Sequence, residues 1–335
     1  MEQKSIPMVT IVMGTFKRSH IIGRTLKSIL VQSFRDFEIV IIDDNYVTEK
    51  EEITNTRKVI EEFNDPRIRY IKNHTNLGHP ANFRKCFDEI RGVYFILYSD
   101  DDEMVNEGIL ETMVSYLEQN QTASLVHGYD IFKYPDGTSY EVPFAINETK
   151  LLESRIYLQS QLLYEDKYNW SQSAVLYRTD FMRYHQIPVV HNYMWDSVFH
   201  ASYLLHSKDI GHINQYFCIR NEELRHTGRN SEAFNFHAFI EVDYMMLKFI
   251  KDNEALLISK NYKVNKLKKA VAWKMTRQFV HVTNFNHAIF CLKLALKELL
   301  SLYFTYMAWL PIKIIAIVYG KFTALKYKLL PEKGK

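Results

Sequence analysis

The chain has 335 residues, 47% of them hydrophobic and 24% charged, which is enough for one large globular domain or two unequal ones. Its three cysteines, Cys86, Cys218 and Cys291, are widely spaced, which argues against a disulfide framework or a zinc site and favours a reducing compartment. The net charge is +3, and the apolar run that begins at Met8 is too short for a signal peptide, so we expect none.

The first part of the chain alternates short apolar runs with helical patterns. Strands are predicted at residues 8–13, 37–42 and 68–72, and helices at 21–32, 49–63 and 80–90. This alternation predicts βαβ units and a mainly parallel sheet covered on both faces. Neither a Gly-x-Gly-x-x-Gly fingerprint nor a Walker phosphate loop follows the first strand, so a bound nucleotide must be held by other groups.

The next apolar run, residues 92–98, ends in three consecutive aspartates, Asp100, Asp101 and Asp102. The run predicts a buried strand, and open α/β sheets bind ligands at the carboxyl ends of their strands. Adjacent carboxylates repel one another unless a positive group lies between them, and Mn²⁺ or Mg²⁺ accepts oxygen ligands while leaving positions for phosphate. We therefore expect a divalent metal at the three aspartates. An acidic cap on the next helix is the alternative.

The pattern beyond the aspartates is also mixed. Helices are predicted at residues 106–119 and from just after residues 191–196 to about residue 205. Strands are predicted at 124–133, 173–177 and 210–220, and a hairpin turn at 134–137. Residues 141–166 show no clear periodicity, and the polar segment 221–230 predicts a loop.

The C-terminal part, residues 233–335, has a helical pattern and is strongly basic. After Lys260 its only acids are Glu298 and Glu332, and its apolar stretch 303–319 is short for a membrane-spanning helix and contains a proline and a lysine. We expect an α-helical extension that lies on an anionic membrane surface. A helical bundle packed on the preceding domain, or a dimer contact, is the alternative. The region has no recognised nucleic-acid-binding motif, so no nucleic acid partner is expected.

Four segments, in this order and at this spacing, resemble the family 2 glycosyltransferases of the GT-A fold. They are residues 9–18, 32–45, the Asn-Leu-Gly turn at 76–78 and the Ser-Asp-Asp-Asp sequence at 99–102. The resemblance covers roughly the first two-thirds of the chain. It implies an α/β, Rossmann-like GT-A catalytic domain at residues 1–232, with helices flanking a mainly parallel sheet. Tyr98 departs from the family pattern, because many relatives have a further aspartate there.

The resemblance implies a donor-nucleotide site at the carboxyl ends of the strands. Thr15 and Phe16 would line the base pocket, with Phe16 stacked on the base. Asp44 would accept a hydrogen bond from a uracil, and Asp43 would orient the same loop. A helix cap is the alternative for the two aspartates. Further donor contacts are implied for Asn82, Arg84, Asp100 and Asp101. A solvated helix face is an equal alternative for Arg84.

The resemblance also implies the catalytic groups. The metal would act as a Lewis acid on the departing diphosphate, and Asp196 would be the general base that activates the acceptor hydroxyl for inverting transfer. A cap for the helix that begins near Ser197 is the alternative role of Asp196. A lid that meets the diphosphate is implied for Arg220, His226 and Arg229, and an exposed basic loop is the equal alternative for each of them.

The function expected from the sequence is transfer of a sugar from a UDP-sugar to a hydroxyl of a lipid-linked or polymeric saccharide, as in cell-surface polysaccharide synthesis. The enzyme would be cytoplasmic and peripheral on the inner face of the cell membrane. A nucleotidyltransferase is one alternative, although residues 14–18 lack the usual Gly-rich basic loop. A non-catalytic scaffold with the GT-A fold is the other, and Tyr98 leaves it open.

Overall fold

The computed structural model describes residues 6–45, 56–143, 146–163, 172–187, 195–221 and 243–280. The chain divides into two compact units, Met1–Asn235 and Phe236–Lys335. The second unit contains helices at 243–252, Glu254–Ser259 and Val264–Val280. Within the described ranges, no helix has the length and apolar character needed to cross a membrane. The stretch 303–319 lies outside them.

The first unit contains ten strands and seven α-helices among its described residues. In chain order they are β1 (Val9–Thr15), α1 (Ser19–Leu30), β2 (Phe37–Asp43), α2 (Thr56–Phe63), β3 (Ile68–Lys72), α3 (His79–Asp88), β4 (Tyr94–Leu97), β5 (Glu103–Met104), α4 (Ile109–Gln119), β6 (Ala123–Lys133), β7 (Ser139–Glu141), β8 (Lys150–Glu153), α5 (Ser154–Leu163), β9 (Val175–Arg178), α6 (Thr179–Tyr184), α7 (Trp195–His206) and β10 (Asp209–Asn221).

The ten described strands form one sheet, in the order β3-β2-β1-β4-β9-β6-β10-β5, with β7 beside β6 and β8 beside β10. Strands β3, β2, β1 and β4 are parallel, and so are β6 and β10. Strand β9 lies between these two groups and runs antiparallel to both β4 and β6. The predicted α/β architecture is confirmed, and its parallel part is the region where βαβ alternation is clearest in the sequence.

The strands at the centre of the sheet are buried on both faces. Every residue of β2 and β4 is buried, as are all but one of β1, which explains why these strands are near-continuous apolar runs. Helix α1 packs on this core through Ile22, Leu26 and Ile29, which recur at helical spacing and are fully buried. Each such side chain contributes about 1.5–3 kcal/mol by leaving water.

Several short elements differ from the sequence expectation. The strand predicted to begin at Ser173 starts at Val175, because residues Gln172–Ala174 form a 3₁₀ turn. Strand β5 has only two residues and exists through its pairing with β10, where Met104 is opposite Cys218. Strand β8 and helix α5 occupy the segment that has no clear periodicity. Strands β5 and β8 are too short to produce a periodic pattern, and the buried face of α5 includes Ser154 and Ser160, so it has no continuous apolar stripe.

Candidate active site

The carboxyl ends of β1, β2 and β4 lie along one edge of the sheet. Thr15, at the end of β1, is in register with Asp43, and the backbone N–H of Asp44 donates to the Thr15 carbonyl at 2.9 Å. Strand β4 is the other neighbour of β1, and the three aspartates follow its last residue, Leu97, after two intervening residues. Thr15 and Asp100, which are 85 positions apart in sequence, therefore lie at the same edge of the sheet. This is the edge at which open α/β sheets bind ligands.

Two of the three aspartates share a positive partner, Arg18. Its Nη1 atom is 2.8 Å from Oδ1 of Asp100 and 2.8 Å from Oδ2 of Asp101. Burial raises the pKa of Asp100, and the charge of Arg18 opposes that rise. The positive group that adjacent carboxylates require is thus a guanidinium in this structure. Sequence reasoning gave Arg18 no role; its position two residues after Phe16, at the same sheet edge, was the available signal.

The third aspartate, Asp102, has a different partner. Its Oδ2 accepts a hydrogen bond from the Ser173 hydroxyl at 2.7 Å, and that hydroxyl also accepts from the backbone N–H of Ser99 at 3.1 Å. Among the residues that the structure describes, no three His, Cys, Asp or Glu side chains are arranged to hold a metal ion. The predicted three-aspartate ligand set is therefore not assembled: Asp100 and Asp101 form a pair, and Asp102 braces the turn that carries them.

Side chains from distant elements also fix the backbone of the aspartate turn. The Thr25 hydroxyl, on α1, donates to the Asp100 carbonyl at 2.9 Å. The Asn221 side-chain amide, at the end of β10, donates to the Asp101 carbonyl at 2.9 Å and to Oε1 of Glu103 at 3.1 Å. Because both neighbours belong to regular elements, the positions of the two paired carboxylates are set by the packed core.

Asp44 fastens the Asn-Leu-Gly turn. Its Oδ1 accepts hydrogen bonds from the Asn73 side chain and from the backbone N–H of Leu77, each at 2.8 Å, and its Oδ2 accepts from the N–H of Gly78 at 2.9 Å. Gly78 has a φ of +77°, a left-handed conformation that glycine adopts readily. Asp44 is 3% exposed, and the contacts that it makes are with the protein's own turn.

Asp43 is held from the opposite side by Tyr70 of β3. Its Oδ2 accepts a hydrogen bond from the Tyr70 hydroxyl at 2.6 Å, and its Oδ1 accepts from the backbone N–H of Asn45 at 2.9 Å. Burial raises the pKa of Asp43, although the Tyr70 hydrogen bond lowers it. The contact with Asn45 means that Asp43 orders the chain immediately after β2.

The two residues predicted on α3 have different surroundings. Asn82 is buried: its Oδ1 accepts from Asn73 at 2.8 Å, and its Nδ2 donates to the Ile42 carbonyl at 3.1 Å. A Cβ on Gly14 would lie 2.9 Å from that Nδ2 atom, so a larger residue there would displace the Asn82 amide from its hydrogen bonds. Arg84, in contrast, is 47% exposed, and its Nε lies 3.8 Å from Asp88 one helical turn away.

Asn73 is the residue of this network that sequence reasoning missed. It links Asp44 to Asn82 through its side-chain amide, and its Oδ1 accepts a hydrogen bond from Lys85 at 2.8 Å. Its backbone N–H donates to the Asp43 carbonyl at 2.9 Å. The available signal was an asparagine placed directly after the predicted strand at residues 68–72.

Phe16 supplies an open aromatic face at the same edge. Its side chain is 43% exposed, and Nζ of Lys17 lies 5.4 Å from the ring centre. Thr15 is 2% exposed, and its hydroxyl helps to lower the pKa of Asp100. An exposed aromatic ring of this kind can stack on a flat ligand.

The remaining predicted residues lie farther along the chain. Nη1 of Arg220 is 3.8 Å from Oδ2 of Asp130, and its guanidinium lies 4.8 Å from the ring centre of Phe132. Asp196 occupies the first turn of α7, and its side chain lies outside the described part of the structure. His226 and Arg229 also lie outside the described residues.

The fold is that of an α/β protein with a cluster of buried aspartates at the carboxyl ends of its parallel strands. The glycosyl transferase family 2 model matches residues 10–184, which is about half of the chain, and the chain belongs to that family. The predicted family is therefore confirmed.

Individual relatives and a solved structure agree with this assignment. An uncharacterized glycosyltransferase of Methanocaldococcus jannaschii is 31% identical over 129 residues, which are 38% of this chain and 42% of that protein. A GalNAc(5)-diNAcBac-PP-undecaprenol beta-1,3-glucosyltransferase of Campylobacter jejuni is 31% identical over 111 residues, which are 32% of this chain and 34% of that protein. The chain thus spans less than half the length of either relative.

The crystal structure of S. aureus TarS 1-349 in complex with UDP-GlcNAc superposes with a TM-score of 0.63. The superposition covers 87% of this chain and 81% of that one, at 15% sequence identity. The predicted GT-A fold is confirmed.

The contacts of Asp44 generate a prediction about local order. In Asp44→Asn, one acceptor oxygen is replaced by an NH₂ group and the negative charge is lost, so the backbone N–H groups of Leu77 and Gly78 lose charge-assisted partners. We expect hydrogen exchange at these two amides to accelerate by about tenfold or more, measured by NMR or mass spectrometry. The exposed Asp36→Asn change is the control. Unchanged exchange at both amides in Asp44→Asn would contradict this role of the carboxylate.

Proposed function

We propose that the chain is an inverting glycosyltransferase that moves a sugar from a UDP-sugar to a hydroxyl of a lipid-linked or polymeric saccharide in cell-surface polysaccharide synthesis. The observation that carries the proposal is that one oxygen of Asp100 and one of Asp101 lie 2.8 Å from the same nitrogen of Arg18, at the sheet edge where Phe16 exposes its ring. Family membership supports the reaction class. The UDP-GlcNAc bound to TarS supports the donor class, and the polyprenol-linked acceptor in the Campylobacter enzyme's name supports the acceptor class.

The base of the donor would bind at the ends of β1 and β2. Phe16 offers an exposed aromatic face on which a uracil ring can stack, as bases do on aromatic side chains. A carboxylate has about four acceptor positions, and Asp44 uses three of them for the turn at 76–78. One position remains for the ring N–H of a uracil, so Asp44 would both shape the pocket and contact the base.

The Asp100–Asp101 pair fits a divalent cation. One oxygen of each carboxylate lies 2.8 Å from the same Arg18 nitrogen, so both carboxylates can contact one positively charged group at the same time. Mg²⁺ is commonly bound through one or two carboxylates together with substrate phosphates. We propose Asp100 and Asp101 as the ligands of Mn²⁺ or Mg²⁺, and Asp102 as the residue that braces their turn. When bound, the cation neutralises charge on the departing diphosphate.

The acceptor side of the site would come from α7 and β10. Asp196, in the first turn of α7, would take the proton of the acceptor hydroxyl. Arg220 directly precedes Asn221, which donates to the Asp101 carbonyl, so the end of β10 reaches the aspartate turn. We propose that Arg220, His226 and Arg229 form a cationic lid that closes over the diphosphate and excludes water.

We also propose that the basic C-terminal region holds the protein peripherally on an anionic membrane surface, at the cytoplasmic inner face of the cell membrane. The support is compositional: Glu298 and Glu332 are the only acids after Lys260.

Calorimetric titration of UDP, with and without Mn²⁺, tests the donor site. We expect binding that requires Mn²⁺, and a loss of affinity of more than about tenfold in Asp101→Asn because a metal ligand is removed. Asp88→Asn, an exposed change on α3, is the matched control and should bind as the wild type does. The site assignment fails if Asp101→Asn binds UDP normally. The uridine donor itself is excluded if the wild-type protein does not bind UDP under either condition.

The release of UDP from UDP-GlcNAc and UDP-glucose, with water as acceptor, tests the general base. We expect Asp196→Asn to reduce the rate by about 100-fold or more while UDP binding is retained, because the amide cannot accept the proton. Asp180→Asn removes the same charge from the first turn of α6 and serves as the control. An Asp196→Asn rate close to that of the wild type would exclude this residue as the base.

Co-sedimentation of the full chain with lipid vesicles tests the membrane proposal. We expect binding to vesicles that contain phosphatidylglycerol, weaker binding at high salt, and little binding to phosphatidylcholine alone, because the attraction is electrostatic. Equal binding to both vesicle types, independent of salt, would contradict it.

A further inference from the structure

Arg18 occupies the position that a metal would take between the paired aspartates. A guanidinium nitrogen at 2.8 Å from two carboxylate oxygens makes two charge-assisted hydrogen bonds, each shorter than a typical neutral N–H···O contact. A divalent cation binds carboxylate oxygens at about 2.0–2.6 Å, which is closer still. A metal ion bound to the same two oxygens would lie close to the guanidinium, and because the two positive charges repel each other, binding of the ion favours release of Arg18.

The backbone of Arg18 is anchored, whereas its long side chain has several rotatable bonds. The Arg18 carbonyl accepts hydrogen bonds from the N–H groups of Ile21 and Ile22 at 3.0 and 3.1 Å, so the residue is the N-cap of helix α1. Its long side chain reaches from there to the aspartate turn. Release of the carboxylates would therefore require a change of Arg18 side-chain rotamers, while its anchored backbone could stay in place.

The nearby cation Arg24 differs from Arg18 in its partner. Its Nε lies 3.0 Å from Oε1 of Glu103, and its side chain is 36% exposed. The side chain of Arg18 is 19% exposed. Both arginines carry the same charge close to the aspartate turn. Comparing substitutions of Arg18 and Arg24 therefore distinguishes direct competition for the carboxylates from a general effect of local positive charge.

We propose that Arg18 is the resident counter-cation of Asp100 and Asp101, that a divalent cation displaces it, and that the released guanidinium takes the donor diphosphate as its new partner. Metal and donor then bind cooperatively. The metal frees the guanidinium for the diphosphate, and the diphosphate gives the displaced guanidinium a new partner. The displacement depends only on the contacts of Arg18. The diphosphate step rests on the proposed function, which places the diphosphate between Phe16 and the metal.

Titration of the full chain with Mn²⁺ alone, followed by the electron paramagnetic resonance signal of free Mn²⁺, tests the displacement without nucleotide. We expect Arg18→Gln to bind Mn²⁺ at least about tenfold more tightly than the wild type, because no charge-assisted contacts must be broken. Arg24→Gln should bind as the wild type does. The double variant with Arg18→Gln and Asp101→Asn should lose the tight Mn²⁺ binding of Arg18→Gln. That loss would show that the ion binds at Asp100 and Asp101.

Arg18→Lys provides a second variant if Arg18→Gln does not fold. Lysine keeps the charge but lacks the planar fork, so its Mn²⁺ affinity should exceed that of the wild type by less than in Arg18→Gln. An Arg18→Gln protein, or failing that an Arg18→Lys protein, that binds Mn²⁺ no more tightly than the wild type overturns the displacement. So does an Arg24→Gln protein whose affinity rises as much as that of Arg18→Gln.

The same titrations with saturating UDP test the diphosphate step. In the wild type, UDP should tighten Mn²⁺ binding, and this enhancement should shrink in Arg18→Gln because the competing guanidinium is gone. An equal enhancement in both proteins overturns the transfer of Arg18 to the diphosphate. If UDP does not change the Mn²⁺ affinity of the wild type, the proposal of a UDP-sugar donor is contradicted. The titrations with Mn²⁺ alone still test whether the metal displaces Arg18.

Discussion

The site depends on one electrostatic constraint: buried carboxylates at the end of a central strand must have compensating partners. Asp100 and Asp101 meet it through Arg18, and Asp102 meets it through the Ser173 hydroxyl. Burial without such partners would cost several kcal/mol for each charge, or would force the groups to take up protons. The three adjacent aspartates therefore have different roles. Asp100 and Asp101 together bind a cationic group, and Asp102 stabilises the turn through Ser173.

A similar division of tasks is found at the end of β2. Asp43 and Asp44 are adjacent, but Asp43 contacts Tyr70 and the chain after β2, whereas Asp44 fastens the turn that leads into α3. Asn73 connects that turn with α3 through Asn82. The buried polar groups of the two strand ends form a rigid frame, and the exposed ring of Phe16 lies at the same edge. A frame of this kind suits a ligand that is recognised by shape as well as by charge.

Membership of glycosyl transferase family 2 and the GT-A fold agree with what this edge of the sheet offers chemically. Carboxylate oxygens, an aromatic face and an arginine are groups that can bind a hard cation and a nucleotide diphosphate. In the proposed mechanism the charge on Arg18 is used twice, first to neutralise the aspartate pair and then to hold the diphosphate. Such an exchange would delay metal binding until the donor is present, because the two bind best together.

The sequence by itself determined the alternating α/β pattern, the buried strands and the family, because these are encoded by apolar runs and by motifs that are local along the chain. It also predicted that Thr15, Asp43 and Asp100 would share an edge, since parallel strands end on the same side. Only the tertiary structure decided the partners. Arg18 meets Asp100 across 82 positions, and Ser173 meets Asp102 across 71. Contacts at that separation depend on strand order and on the placement of a 3₁₀ turn, neither of which leaves a periodic signal in the residues themselves.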